Sequence, residues 1–400
     1  MELLAPAGNL EKLHYAYLYG ADAAYMGIEG FSLRAKADNI GENDYLKARE
    51  IKGDRKLYGA LNIAFHNRDL RKLEETLETV PRSCFDAFII SDIGSMPLLK
   101  QRFPSTHLHL STQANCLNSE SARLYRDLGF SRVILGRETG LKEIEEIKRN
   151  VEGLELEVFV HGAMCLAYSG RCYMSAYMAG RSANRGECSH PCRWKYRVLE
   201  EQERPGEYYP VVEGDNFTTV LSSRDLCMVD HIQELRNTGV DALKIEGRMK
   251  SLYYTAVVTR TYRKAVDAAH GADIHDLEAY KRELYKVSHR EFTRGFFFSR
   301  EEADKTTEVD YKRSHVFLGT IEEPAESGRF NISVKNQIRS GDTLEYIGPD
   351  ILYVEDDSFV LYDAEGRATD KIDHGGKYEI KPGKPVKQGY IIRKSADRSG

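Results

Sequence analysis

Short apolar runs alternate with amphipathic stretches from the N-terminus to about residue 250 of this 400-residue chain. Eight of the apolar runs have the length and composition of buried parallel strands. The predicted strands are Glu2–Ala5, Ala23–Gly27, Leu57–Asn62, Ala87–Ser91, His107–Ser111, Arg132–Gly136, Glu155–His161 and Ala242–Glu246. Stretches with helical periodicity, such as Leu10–Tyr19 and Ser119–Leu128, occupy the gaps. This alternation predicts a parallel sheet covered by helices.

Eight strand–helix units favour a closed (β/α)8 barrel of the TIM type. A doubly wound open sheet is the alternative fold. The first predicted strand is followed by APAGN, which lacks the G-x-G-x-x-G pattern of a dinucleotide-binding loop. We therefore predict an α/β fold in which residues 1–300 form a TIM-like barrel with a catalytic role.

The gap between the seventh and eighth predicted strands is far longer than the others and contains an insertion at about residues 163–222. In barrels, long insertions after a strand lie at the carboxyl-terminal mouth, where active sites are found. We therefore expect this insertion at the catalytic face. From His315 onward the pattern changes to alternating β character. Residues 301–400 are predicted to form a small antiparallel, barrel-like β domain that acts as a binding or lid module.

Four of the seven cysteines fall within the insertion: Cys165, Cys172, Cys188 and Cys192, with the spacing C-x6-C-x15-C-x3-C. Clustered thiolates suit zinc or an iron–sulfur cluster, and the spacing alone leaves both open. Disulfides are the third alternative, which the expected cytoplasmic location disfavours. That location is expected because we find no signal peptide and no apolar run long enough to span a membrane. Cys227 is expected at a helix start, as a buried thiol or a substitute ligand.

The net charge of −5 argues against a chain that binds nucleic acid over its whole surface. The cysteine-rich segment is basic, however, with one acid, Glu187, against Arg171, Arg181, Arg185, Arg193, Lys195 and Arg197. The last 20 residues are basic as well. Such local patches can guide a polyanion, and Arg193 is a candidate substrate-binding residue. Tyr208, in the same insertion, could stack on a base or simply pack against Tyr209.

Polar residues at the carboxyl ends of the predicted strands are the other candidates for function. The candidate catalytic residues are His161, Lys244 and Glu246, and the further candidate substrate-binding residues are Arg34, Gln113, Arg137 and Arg248. Alternation places Lys244 and Glu246 on one face of the last strand. They could act on a substrate, or form an internal ion pair that holds the barrel. A lone histidine such as His161 is more often structural, whereas arginines can clamp carboxylates or phosphates.

The segment EVFVHGAMCLAYSGRCYMS (residues 157–175) resembles the signature of the peptidase U32 family. MELLAPAG at the start, GADAAY at 21–26 and KIEGR at 244–248 also resemble it. NRGECSHPCRWKY, RPGEY and LSSRDL are most similar to the branch of that family that hydroxylates bacterial tRNA. The resemblance implies an oxygen-independent enzyme that forms 5-hydroxyuridine at the wobble position. It also implies a [4Fe–4S] cluster on the four clustered cysteines and prephenate as co-substrate.

The partners implied by the resemblance are the tRNA anticodon arm, prephenate and a paralogous subunit of the same family, with no membrane. Other branches hydroxylate a 23S rRNA cytidine or ubiquinone precursors, and a quinone-branch member lacks a counterpart of Cys192. The family name implies a collagenase-like peptidase, which is the alternative function. The sequence contains no H-E-x-x-H, G-x-S-x-G or D-[ST]-G motif in its support.

Overall fold

The structure is a computed structural model that describes residues 1–34, 38–165, 167–194, 212–214, 217–219, 223–299 and 311–396. Eight parallel strands form a closed barrel, as predicted. They are Glu2–Pro6, Ala23–Gly27, Lys56–Leu61, Ala87–Ile90, His107–Leu110, Arg132–Ile134, Glu155–Ala163 and Ala242–Ile245. The eighth strand pairs with both the first and the seventh, which closes the ring.

Helices follow the barrel strands and cover the outside of the ring, except Met174–Ala179, which belongs to the insertion. The α-helices are Leu10–Leu18, Tyr45–Lys52, Asn67–Thr79, Met96–Arg102, Ser119–Asp127, Leu141–Asn150, Met174–Ala179, Ile232–Asn237, Leu252–Ala269 and Leu277–Arg282. Short 3-10 turns are Glu42–Asp44, Ile93–Ser95, Thr112–Ala114, Tyr168–Gly170, Ala183–Arg185, Pro191–Arg193, Val229–His231, Glu283–Tyr285 and Glu326–Gly328. Side chains of Asn9, Asn118 and Ser251 cap the helices that they precede by accepting backbone N–H bonds. No helix in the described ranges is both long and apolar enough to span a membrane.

Apolar residues of the strands form the core, but the barrel also encloses charge. The Arg132 guanidinium contacts the carboxylates of Glu2 at 2.6 Å and Glu157 at 3.1 Å. Lys244 Nζ lies 2.9 Å from the other oxygen of Glu157. Arg132, Glu157 and Lys244 are buried, and the pairing offsets the cost of removing their charges from water.

The C-terminal region is an antiparallel half-barrel, which confirms the predicted β domain. Its main sheet contains His315–Pro324, Phe330–Val334, Leu344–Ile347, Val354–Asp356, Val360–Tyr362, Ala368–Thr369, Tyr378–Lys381 and Ile391–Ser395. Ile338–Arg339 pairs separately with Lys371–Ile372. Buried Arg260 attaches this region to the barrel by donating to the carbonyls of Gly348, Ile351 and Leu352. The predicted domain boundary at residue 300 lies outside the described residues.

The seventh strand runs past the rim of the barrel to Ala163 and supports a short added strand. Asp225–Cys227 pairs antiparallel with it, with Asp225 opposite Ala163 and Cys227 opposite His161. Phe292–Thr293 extends this edge further. The prediction of a helix start at Cys227 is therefore wrong, because the exposed edge of the long seventh strand draws this segment into the sheet. In the insertion itself, Val212–Gly214 pairs with Phe217–Thr219.

Candidate active site

A cavity of about 830 Å³ opens at the carboxyl-terminal mouth of the barrel. Strand residues such as Ala60, Ile134 and Phe159 form its floor. Its roof is the part of the insertion between Cys165 and Trp194, which we call the cysteine loop. The sequence therefore predicted correctly that this described part of the insertion lies over the mouth. The volume suits a ligand of nucleotide size.

All four clustered cysteines line this cavity. They are free thiols; Cys165 is exposed and the other three are half-buried. Across the described ranges, no three Cys, His, Asp or Glu side chains converge closely enough to hold a metal ion. The donor set fits a soft metal or an iron–sulfur cluster.

Hydrogen bonds and an ion pair hold the cysteine loop to the third barrel loop, which follows the strand Lys56–Leu61. The guanidinium of Arg185 donates two hydrogen bonds to the Asp69 carboxylate, at 2.5 and 2.8 Å. The Asn184 C=O accepts the N–H of Ala64 at 2.9 Å. The Asn184 amide also bonds both the N–H and the C=O of Cys172, at 3.2 and 3.3 Å. Hydrogen bonds from Arg185 hold the pKa of Asp69 well below its ordinary value. In the sequence Arg185 is one basic residue among several, and no local signal identifies Asp69 as its partner.

Glu246 is the centre of an arginine cluster at the mouth. Arg34 Nη2 lies 3.0 Å from its carboxylate, and the Tyr25 hydroxyl donates to it at 3.3 Å. Burial alone would raise the pKa of Glu246, but Arg34, Arg137 and Arg248 outweigh it and lower that pKa. Burial lowers the pKa of Arg248 to about 10, which leaves the side chain charged at neutral pH.

Arg248 and Arg34 already have protein partners, whereas Arg137 offers its donors to the cavity. Arg248 bonds the Ser32 hydroxyl. The guanidinium carbon of Arg137 lies 4.0 Å from the centre of the Phe159 ring, and no ion pair to Arg137 occurs among the described side chains. The Gln113 side-chain oxygen is buried and has no hydrogen-bond partner among the described residues. Both groups line the cavity and can bind a polar ligand.

The cavity is strongly basic. Among the described residues, seven lysine or arginine side chains line it, against the single carboxylate of Glu246. The basic residues are Arg34, Arg137, Arg171, Arg181, Lys244, Arg248 and Lys250. An excess of one charge in a concave, low-dielectric site attracts ligands of the opposite charge. The site therefore suits phosphates or carboxylates.

His161 and Lys244 are less available than the sequence suggested. His161 does not line the cavity; it is 1% exposed, with Nδ1 3.3 Å from the Tyr262 hydroxyl. Burial lowers the pKa of His161 to about 3, so the ring is neutral at physiological pH. Lys244 does line the cavity but is engaged in the ion pair with Glu157. This matches the internal ion pair considered above, although its partner is Glu157 and not Glu246. A catalytic role for these residues stays a prediction.

Three candidate residues remain: Cys227, Arg193 and Tyr208. Cys227 does not line the cavity; its sulfur lies 3.9 Å from the Tyr262 hydroxyl, and burial raises its pKa to about 11. Arg193 belongs to the turn Pro191–Arg193, but its side chain is not described. Tyr208 lies outside the described residues.

Comparison with known proteins places this architecture in a family. The model for peptidase family U32 matches residues 8–307, and the model for the peptidase family U32 C-terminal domain matches residues 313–393. The chain is 36% identical over 391 residues to tRNA hydroxylation protein P of Escherichia coli strain K12, with 87% of this chain and 86% of that protein covered. It is 35% identical over 382 residues to tRNA hydroxylation protein P1 of Bacillus subtilis strain 168, covering 93% and 89%.

A further relative carries a different name. The chain is 32% identical over 317 residues to a collagenase of Porphyromonas gingivalis strain W83, covering 74% of this chain and 73% of that protein. The family matches include both the barrel with its cysteine loop and the C-terminal half-barrel. On this basis the chain belongs to peptidase family U32.

Proposed function

We propose that this chain is a tRNA-modifying enzyme that hydroxylates the wobble uridine of tRNA to 5-hydroxyuridine, without molecular oxygen. The observation that carries the proposal is the basic, thiol-lined cavity in a chain that matches two tRNA hydroxylation proteins over most of its length. Enzymes that act on a nucleobase must take it out of the stack and enclose it in a pocket. A volume of about 830 Å³ leaves room for a base and a small co-substrate.

The four cysteines of the roof are the proposed ligands of a [4Fe–4S] cluster, since four thiolates are the usual donor set for one. When bound, the cluster supplies electron-transfer chemistry at the cavity. The chain's contribution is to hold the ligands in place. Asn184 fixes the backbone of Cys172, and the Asp69–Arg185 ion pair fixes the loop to the barrel. Cys227 is not part of the proposed site, because it lies outside the cavity wall.

The arginine cluster is the proposed binding site for prephenate, a dicarboxylate. Glu246 orients Arg34, and Ser32 orients Arg248, so these two guanidinium groups are held in place before a ligand enters. Arg137 has donors available for a bidentate bond to a carboxylate. The Gln113 side-chain oxygen has no partner in the part of the chain that the structure describes, and it can accept an N–H bond from a pyrimidine edge.

Nucleoside mass spectrometry tests the proposal. We expect tRNA from a strain that lacks this chain to lose 5-hydroxyuridine and its derivatives, and the wild-type chain to restore them. A chain with Cys165, Cys172, Cys188 and Cys192 all changed to serine should not restore them. Unchanged nucleosides in the deletion strain, with no paralogue present, contradict the proposal.

A thiol peptidase is the second candidate, because His190 shares the cavity with the cysteines and a named collagenase is a relative. A nucleophilic thiol requires a base within reach. Incubation of the anaerobically purified chain with denatured collagen distinguishes the two candidates. Cleavage that disappears in a His190→Ala variant supports the peptidase, and absence of cleavage removes it.

A further inference from the structure

The helix Met174–Ala179 in the cysteine loop displays two tyrosines to solvent. Tyr173, which precedes the helix, is 77% exposed and Tyr177 is 78% exposed. The N–H of Tyr177 donates to the C=O of Tyr173 at 3.0 Å, so the two residues are one helical turn apart and share a face. Tyr173 also lines the cavity. This tyrosine face therefore begins at the edge of the candidate active site.

The opposite side of the same helix is anchored. Ser175 is fully buried, and its hydroxyl accepts the N–H of Ser189 at 3.0 Å. The Trp194 indole donates to the C=O of Ser189 at 3.0 Å. These bonds tie the helix to the segment that carries Cys188 and Cys192. The tyrosines are thus presented on a surface that is already ordered, and a ligand that contacts them pays little for ordering it.

The charged residues around the tyrosine face are mostly basic. Arg171 and Arg181 lie at the two ends of the helix segment, and both line the cavity. Glu187 is the only acidic residue between positions 165 and 194. Aromatic rings set among arginines are the combination that binds single-stranded nucleic acid, because bases stack on the rings while arginines neutralise phosphates. Both rings are largely exposed, so packing among the described residues does not explain them as part of the core.

We propose that Tyr173 and Tyr177 stack on unpaired bases of an RNA loop, next to the base that enters the cavity. Arg171 and Arg181 contact the phosphates of the same loop. Tyr173 is adjacent to Cys172, so the base that it holds lies at the entrance of the cavity. This inference rests on the proposed function and adds the surface that recognises the single-stranded part of the substrate.

Fluorescence anisotropy at fixed salt tests the inference with two labelled RNA probes: a hairpin with a single-stranded loop, and the same stem as a blunt duplex. Tyr173→Ala and Tyr177→Ala should each weaken hairpin binding by about tenfold, which is within the range for loss of one base–aromatic stack. Tyr173→Phe and Tyr177→Phe should bind within about twofold of wild type, because stacking does not need the hydroxyl. Affinity for the duplex should not change.

Tyr285→Ala is the matched control, because Tyr285 is 58% exposed and does not line the cavity. It should bind the hairpin like wild type. Iron content and melting temperature should be unchanged in all these variants, since the side chains removed are exposed. Hairpin binding that survives both alanine substitutions overturns the inference. So does a change in oligomeric state without a change in RNA affinity, which would assign the face to a protein partner.

The binding assay separates this inference from the proposed function. If the wild-type chain binds the hairpin through these tyrosines but the deletion strain keeps its hydroxyuridine, the stacking surface is supported and the proposed reaction is contradicted. A wild-type chain that hydroxylates tRNA, with alanine variants that bind and react normally, removes only the stacking surface.

Discussion

Arg185→Ala should increase the fraction of molecules in which the cysteine loop is detached from the barrel. The substitution removes two hydrogen bonds to the Asp69 carboxylate and a longer one, 3.3 Å, to the Ala64 C=O. The carboxylate keeps the His66 N–H at 2.8 Å and the Arg68 guanidinium at 3.8 Å. A bond to a charged group contributes about 1.5–3 kcal/mol. The Arg185 side chain is 23% exposed, so water replaces part of the loss, and we take about 2 kcal/mol for both bonds together. At about 1.4 kcal/mol per tenfold, the detached population rises by roughly 30-fold.

Two measurements check this value. Hydrogen exchange at the Ala64 amide, which donates to Asn184, should accelerate by roughly 30-fold. If the cluster proposal holds, iron should also pass to a chelator faster. Arg181→Ala is the matched control, since Arg181 lies in the same loop and makes no ion pair with any described residue. Equal exchange in the Arg185→Ala and wild-type chains refutes the reasoning.

Three further predictions concern single side chains. Cys192→Ser should lose iron and hydroxyuridine together, whereas Cys227→Ser should keep both and cost at most about 1 kcal/mol, as judged by iron analysis and denaturant unfolding; the reverse pattern contradicts the ligand assignment. Arg137→Met should raise the KM for prephenate by at least about tenfold with iron content unchanged, because one charge-assisted carboxylate bond is lost; an unchanged KM removes Arg137 from the site. Burial would raise the pKa of Glu345, but His315 and Arg393 together lower it from 4.5 to about 2. The carboxylate therefore stabilises the fold above pH 4.5, and about 3 kcal/mol is lost as pH falls to 2; acid unfolding of Glu345→Gln should lack this component, and an identical acid limb argues against the pairing.

The sequence was informative where a pattern has a single physical solution. Continuous apolar runs such as Ala23–Gly27 become buried parallel strands because five residues are too few for a stable helix but suffice for a strand that is covered on both faces. The position of the cysteines over the mouth followed from the same reasoning, because the strand that precedes them had already been identified. These conclusions depend on local composition and chain order, which a sequence contains.

Pairings across the fold could not be predicted in this way. The partner of Lys244 is Glu157, 87 residues earlier, because the seventh and eighth strands are neighbours only in the closed ring. Arg185 and Asp69 are 116 residues apart and meet only when the insertion folds over the third barrel loop. His161 ends a predicted strand like other mouth residues, but its side chain packs outside the cavity against Tyr262. The orientation of a side chain past the end of a strand depends on neighbours that the local sequence does not identify.

The pairing of Asp225 with Ala163 fixes the two ends of the insertion side by side. The insertion is therefore a closed loop, and the distance between its two ends stays constant whatever its length. Closing a longer loop costs only about 0.6 kcal/mol for each doubling of its length. Members of a family built on this plan can lengthen, shorten or exchange the insertion without changing the strands beneath it. Substrate range can then diverge in the roof of the cavity while the barrel that supports it keeps its stability.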